Sequence, residues 1–186
     1  MNPGALTEIA CQWQIPEQTA TECLFAHRFF PELHDIRIRV SLKSLRTTMA
    51  ARPEVLNLLR SRKKRKYNVY INNDPRKARG VIWNEMPKEA LTGIIGHELI
   101  HILDYTQSSN LKILLIGLKY ITSHSFKRRF ERATDLSCIR RGMGAYLLAF
   151  QQYIDGNSRI EDSYKANLRM YYMTAGEIAD AVIINR

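Results

Sequence analysis

Cysteine is scarce in this chain. It occurs three times in 186 residues, as Cys11, Cys23 and Cys138. An odd number with no paired spacing supplies neither a disulfide framework nor a cysteine zinc site, and it is the usage of reduced thiols, so a cytoplasmic setting is expected. Long apolar runs are missing as well. The strongest, LKILLIGLKYI at residues 111–121, carries Lys112 and Lys119 and has about half the length that a bilayer-spanning helix needs. It reads as a short buried or interfacial helix, with core packing the default and a roof over a neighbouring site or contact with lipid the alternatives. The first residues, MNPGALTEIACQWQIPEQ, hold neither an early positive charge nor an apolar stretch, so no secretory leader is expected. Repeats and low-complexity linkers are absent, and the length suits a single domain over residues 1–186 that buries roughly 70% of its unfolded surface.

Negative charge is also in short supply, with 18 Asp and Glu against 28 Lys and Arg and a net charge of +10. The excess gathers in RSRKKRK, residues 60–66, with smaller clusters at Lys127–Arg129 and Arg140–Arg141. Arg62, Lys63, Lys64 and Arg65 are the candidate anion-binding residues. Two readings stand: a solvated connection between elements, or recruitment to an anionic partner, either nucleic acid or a membrane surface. No aromatic residue interleaves with the run, so base stacking is not supported.

What the chain does contain is GIIGHELIHILDY, residues 93–105. On a helix, residues four apart project from one face, so His97 and His101 can share a metal ion. Imidazole is a preferred zinc donor, and a catalytic zinc site takes three protein ligands. Glu98 lies about 100° around the helix from His97; it is poorly placed as a ligand but near enough to act as a base beside the two imidazoles. Ile94, Ile95, Leu99, Ile100, Ile102 and Leu103 surround the three ionisable groups, and such a buried helix carries them at a cost unless they are paired or bound. Asp104 and Tyr105 follow on the same helix as further polar groups.

A third ligand has to come from a second element. FERATDLSCIRRG, residues 130–142, predicts a helix that stops at Gly142, with Glu131 and Asp135 on one face. Glu131 suits the metal, and Asp135 suits the spare N–H of a ligating histidine. The competing third ligand is His124, in the polar stretch TSHS at residues 122–125. A metzincin is excluded, because its glycine and third histidine would fall on Asp104 and Gln107.

His97-Glu98-Leu99-Ile100-His101 followed by Glu131-Arg132-Ala133-Thr134-Asp135 resembles the HExxH and ExxxD signature of the gluzincin zinc metallopeptidases, the thermolysin-like group. The resemblance covers those two segments, which are separated by 29 residues. It implies His97, His101 and Glu131 as Zn²⁺ ligands, Glu98 as the general base and Asp135 as the residue that orients a ligating histidine. The implied activity is zinc-dependent hydrolysis of peptide bonds in a peptide or protein substrate. The family's downstream histidine has no counterpart, His124 being the last in the chain; Tyr164, Tyr171 and Tyr172 are candidates for an oxyanion donor instead. A reading of another class is a basic nucleic-acid- or anionic-membrane-binding protein on the same scaffold, with a structural or vestigial metal site.

The remaining pattern predicts an α+β, zincin-like domain: a short, mainly antiparallel sheet before the HExxH helix and a helical C-terminal half. A helix is predicted over 16–30, a strand with arginines on one face over 35–42, a short helix over 53–60, a strand over 66–73 and a third, short strand at GVIWN. Pro87 fits the first position of the motif helix. Helices are predicted at 145–154, 160–173 and after Thr174, whose pairing with Glu177 matches a capping box. By the resemblance, an exposed sheet edge lies above the metal, and KYNVYINN, residues 66–73, is the candidate edge.

Overall fold

The computed structural model describes residues 12–54, 65–74, 76–77, 79 and 81–185. It is an α+β fold with one small mixed sheet and a predominantly helical second half. The strands are β1 (Trp13–Gln14), β2 (Arg37–Lys43), β3 (Met49–Pro53) and β4 (Lys66–Asn72), in the order β1-β2-β4-β3. Helix α1 (Ala20–His27) crosses between the first two strands. The helical half runs α2 (Lys88–Gln107), α3 (Asn110–Thr122), α4 (His124–Cys138), one π turn (Ile139–Met143), α5 (Gly144–Gly156), α6 (Asp162–Tyr171) and α7 (Ala175–Ile184).

Alternation makes the sheet one-sided. Ile38, Val40, Tyr67, Val69 and Ile71 are buried against the helices, while Arg37, Arg39 and Lys66 face solvent, as strands with one wet face require. The expectation of a mainly antiparallel sheet is corrected. β1 with β2 and β2 with β4 are parallel pairs, and only β3 with β4 is antiparallel. After β2 the chain reverses into β3 and then inserts β4 between the two, so β4 returns in the direction of β2. The edge assignment changes with it: KYNVYINN is an inner strand, and Met49–Pro53 is the edge. GVIWN forms no strand among the described residues; Trp83–Glu85 is a 3₁₀ turn leading to Pro87, which sits just before α2. The helix predicted over 53–60 falls mostly outside the described residues, apart from Pro53 at the end of β3 and Glu54 beyond it.

Helix α2 is the centre of the molecule, with every residue from Ala90 to Leu103 buried. A Cβ placed on Gly93 would lie 2.1 Å from the backbone oxygen of Tyr146 in α5, so this glycine is what lets the two helix backbones touch. At the far end of α2, Arg65 is buried and donates to the carbonyls of Tyr105 and Ser108, at 3.2 and 2.8 Å, and to Asn110. A guanidinium there satisfies last-turn carbonyls and favours the helix dipole. Arg65 is therefore not one of the anion-binding cations expected from the sequence: its charge points into the fold. Arg62, Lys63 and Lys64 lie outside the described residues.

The apolar segment 111–121 is corrected too. It forms α3, but only Ile113 is buried on it, so core packing does not describe this helix. No helix among the described residues is long and apolar enough to cross a membrane.

The capping box at Thr174 is present, and Glu177 also takes both guanidinium nitrogens of Arg132, at 3.1 and 2.5 Å. The Arg132 fork and the Thr174 amide hold the Glu177 carboxyl down at about 2. Its folded pKa is thus below the ordinary value, and the stabilisation is complete above pH 4.5 and is lost as pH falls toward 2. Glu177→Gln is expected to cost about 1 kcal/mol at neutral pH, the usual worth of a cap with a partly exposed ion pair. In urea melts, the gap to wild type should close near pH 2; a gap independent of pH would refute the assignment.

Candidate metal centre

Two elements build the site. Helix α2 presents His97, Glu98 and His101 from one buried side, and α4 presents Glu131 and Asp135; all five are less than 8% exposed. The Nε2 atoms of His97 and His101 stand 3.1 Å apart, and Glu131 Oε2 lies 3.1 Å from the first and 3.3 Å from the second. Three ligands on a tetrahedral ion at 2.0–2.1 Å stand about 3.3 Å from one another. The spacing therefore fits, and this buried His97–His101–Glu131 group could hold a metal ion.

The hydrogen bonds around the group favour the same conclusion. His97 Nδ1 is 2.8 Å from Asp135 Oδ1. A carboxylate only accepts, so Nδ1 carries the hydrogen and Nε2 turns its lone pair toward Glu131 and His101. Lone pair against carboxylate is repulsive unless a proton or a metal ion lies between them. Burial opposes charge on His97, yet the Asp135 and Glu131 carboxylates outweigh it and hold its pKa well above the ordinary value. Burial likewise works against a charged Glu131, and the two imidazoles overcome it and hold its pKa well below the usual carboxylate range. The cluster asks for positive charge at its centre. His101 Nδ1 has no partner among the described residues, and its ring is positioned by stacking on Phe130 with centroids 5.1 Å apart.

Asp135 is fixed from behind. Its Oδ2 accepts the Met173 amide at 2.8 Å, in the turn between α6 and α7. Arg132, one helical turn earlier, donates to the Tyr172 carbonyl at 3.3 Å and pairs with Glu177. The same turn thus anchors α4 at two points and aims the carboxylate that orients His97.

Glu98 is tied to the sheet. The Ala51 amide of edge strand β3 donates to its Oε2 at 2.5 Å. Burial raises the Glu98 carboxyl above its ordinary pKa, against the pull of the His101 and His97 imidazoles and of that amide. The β3–β4 register explains why the amide is available. Asn72 donates to Thr48 and Glu54 to Lys66, so Ala50 and Arg52 bond to β4 while Met49, Ala51 and Pro53 turn their backbone groups outward. Those residues form one wall of a cleft of about 910 Å³ that also reaches Glu98, His101, Glu131, Tyr172 and Leu118.

The structure brings together all five residues expected from the two motifs. His124 is elsewhere, with Nδ1 paired to the Tyr171 hydroxyl and the two rings stacked 6.0 Å apart. That pairing also takes Tyr171 out of the oxyanion candidates, and Tyr164 is occupied with Thr48. Tyr172 lines the cleft with its ring centroid 5.5 Å from that of His97. Tyr105, on α2, lines it as well. Two participants carried no sequence signal. Tyr120 donates to Glu131 Oε1 from within an apolar helix, and Ala51 acts through its backbone.

Comparison of the chain with protein-family models, with curated proteins and with solved structures finds no match.

Proposed function

We propose that this chain is a zinc-dependent peptidase of the gluzincin type on a zincin-like α+β scaffold. The observation that carries the reading is the convergence of His97 Nε2, His101 Nε2 and Glu131 Oε2 within 3.3 Å of one another, with a separate buried carboxylate, Glu98, beside them. Zinc suits two imidazoles and one carboxylate better than the hard, oxygen-preferring cations do. The chemistry such an ion supplies is Lewis-acid polarisation of a carbonyl and acidification of a water molecule.

The chain's own residues have distinct tasks. Glu98 accepts a proton on the carboxylate oxygen that Ala51 leaves free, and its raised pKa brings it nearer the value a base needs at neutral pH. Asp135 keeps His97 in the tautomer whose Nε2 lone pair faces the centre. Tyr120 holds Glu131 from its other oxygen. The outward backbone groups of Met49 and the Ala51 carbonyl, the Ala51 N–H being taken by Glu98, offer an extended peptide main-chain hydrogen bonds along β3, which lays a scissile bond over the site. The Tyr172 hydroxyl, on a ring that lines the cleft 5.5 Å from that of His97, is the candidate donor to a developing oxyanion.

The test is metal content and turnover together. Purified protein is expected to contain about one zinc per chain by elemental analysis, to cleave a mixed peptide library, to lose that activity to a chelator and to regain it with Zn²⁺. Stoichiometric zinc with no cleavage of any peptide would leave a structural site and overturn the peptidase reading.

A further inference from the structure

Helix α3 is built the wrong way round for a packed helix. Ile113 and Tyr120 face the protein, while Leu111, Leu114, Leu115, Leu118 and Ile121 are exposed at 66, 59, 45, 55 and 80%. At 100° per residue these five fall within an arc of about 120°. They form one apolar stripe along a helix about 20 Å long, and a stripe of that kind marks a contact surface. Lys112 and Lys119 are exposed and share one flank of it.

The charge around the stripe identifies what covers it. From Tyr105 to Phe130 there is no aspartate or glutamate, and there are five cations: Lys112, Lys119, Lys127, Arg128 and Arg129. None of the five enters an ion pair among the described residues. A second copy laid antiparallel against α3 would set Lys112 and Lys119 against their own counterparts, and a parallel copy would set them against a flank with no aspartate or glutamate, so neither orientation gives these lysines a partner. A convex leucine stripe flanked by lysines, on a helix too short to span a bilayer, has the chemistry of a helix that lies in a lipid interface.

We propose that α3 docks the protein onto an anionic membrane surface, with the leucine stripe among the acyl chains just below the headgroups and Lys112 and Lys119 on lipid phosphates. Leu114, Leu118 and Ile121 also border the cleft over His101 and Glu131, so its mouth opens beside the docked surface. The docking is independent of the peptidase reading, because it is read by vesicle binding without turnover.

The experiment is co-sedimentation of the full chain with phosphatidylcholine vesicles, with and without phosphatidylserine, at about physiological ionic strength. Wild type is expected on the phosphatidylserine vesicles. Leu111→Gln, Leu115→Gln and Leu118→Gln combined should lower that partition about 100-fold, with the fold retained by circular dichroism because the three side chains are exposed. Lys112→Gln with Lys119→Gln should lower it on the order of 20-fold on anionic vesicles only, which tests the proposal even if the leucine variant is unstable. Absence of wild-type binding, or leucine and lysine variants that bind as wild type does, would overturn it. So would a wild-type dimer that the leucine variant dissolves, which would assign the stripe to a second copy, or vesicle binding that DNA displaces equally from wild type and the leucine variant, which would assign the contact to the cations alone.

Discussion

Glu98→Gln is expected to keep its metal and lose about 10²- to 10⁴-fold in peptide hydrolysis, the range that a positioned general base contributes. The substitution is nearly isosteric. Its amide oxygen can still accept from Ala51, which holds Glu98 at 2.5 Å, so the side chain stays in place. His97, His101 and Glu131 make no hydrogen bond to Glu98, and the donor set is untouched. What disappears is the ability to take a proton. The fall should appear in kcat, since a base acts in the transition state and not in ground-state binding. Elemental analysis of the same preparation separates the outcomes: wild-type turnover in the variant ends the mechanism, and loss of metal moves Glu98 into the coordination sphere.

The second large effect is an order of metal affinities. Glu131→Ala should lose zinc most readily, Asp135→Asn should weaken it by about 10- to 100-fold, as removal of a partner behind a ligating histidine usually does, and His124→Ala should change little. Glu131 touches both imidazoles, at 3.1 and 3.3 Å, whereas His124 is occupied with Tyr171. Glu131→Ala also leaves Tyr120 without its acceptor and removes the carboxylate that the two buried imidazoles share, which endangers the fold. Glu131→Gln is the gentler companion and should still bind zinc far more weakly than wild type. Titration against a competing chelator reads all four variants. A large loss in His124→Ala with near-normal affinity in Glu131→Ala or Glu131→Gln would refute this donor set and the gluzincin reading with it.

The candidate metal centre was legible in the sequence because its parts are local. A helix repeats every 3.6 residues, so His97 with His101, and Glu131 with Asp135, share faces whatever the rest of the chain does. That these two faces meet is a tertiary fact. Pairing by type predicted it correctly, since a buried pair of imidazoles needs an anion and the second helix offers two. Thr174 with Glu177 was legible for the same reason: a capping box closes within four residues. Arg132, which completes that lock from 45 residues away, gave no sign of it.

The sheet marks the boundary. Alternation in 35–42 and 66–73 correctly located two strands, and the arginines of the first marked its wet face, since the period of a strand is intrinsic to it. MAARP has too little alternation to announce β3, and no local pattern states which strand lies at an edge or whether neighbours run parallel. Strand order follows from which backbone groups find partners across the whole chain, and here it put Met49–Pro53, not Lys66–Asn72, beside Glu98.

Arg65 and α3 show the same limit with opposite signs. Arg65 sits in a run of cations and reads as solvated charge, yet it is buried because the end of α2 leaves carbonyls that need donors. LKILLIGLKYI reads as core, yet most of it is exposed because α3 packs mainly along α4 and buries only Ile113. Residue types and their spacing determined the chemistry this chain carries and the helices that carry it. Which strand borders that chemistry, which cation is buried and which leucines meet solvent were decided only by competition for partners in the folded chain, a property that no short segment contains.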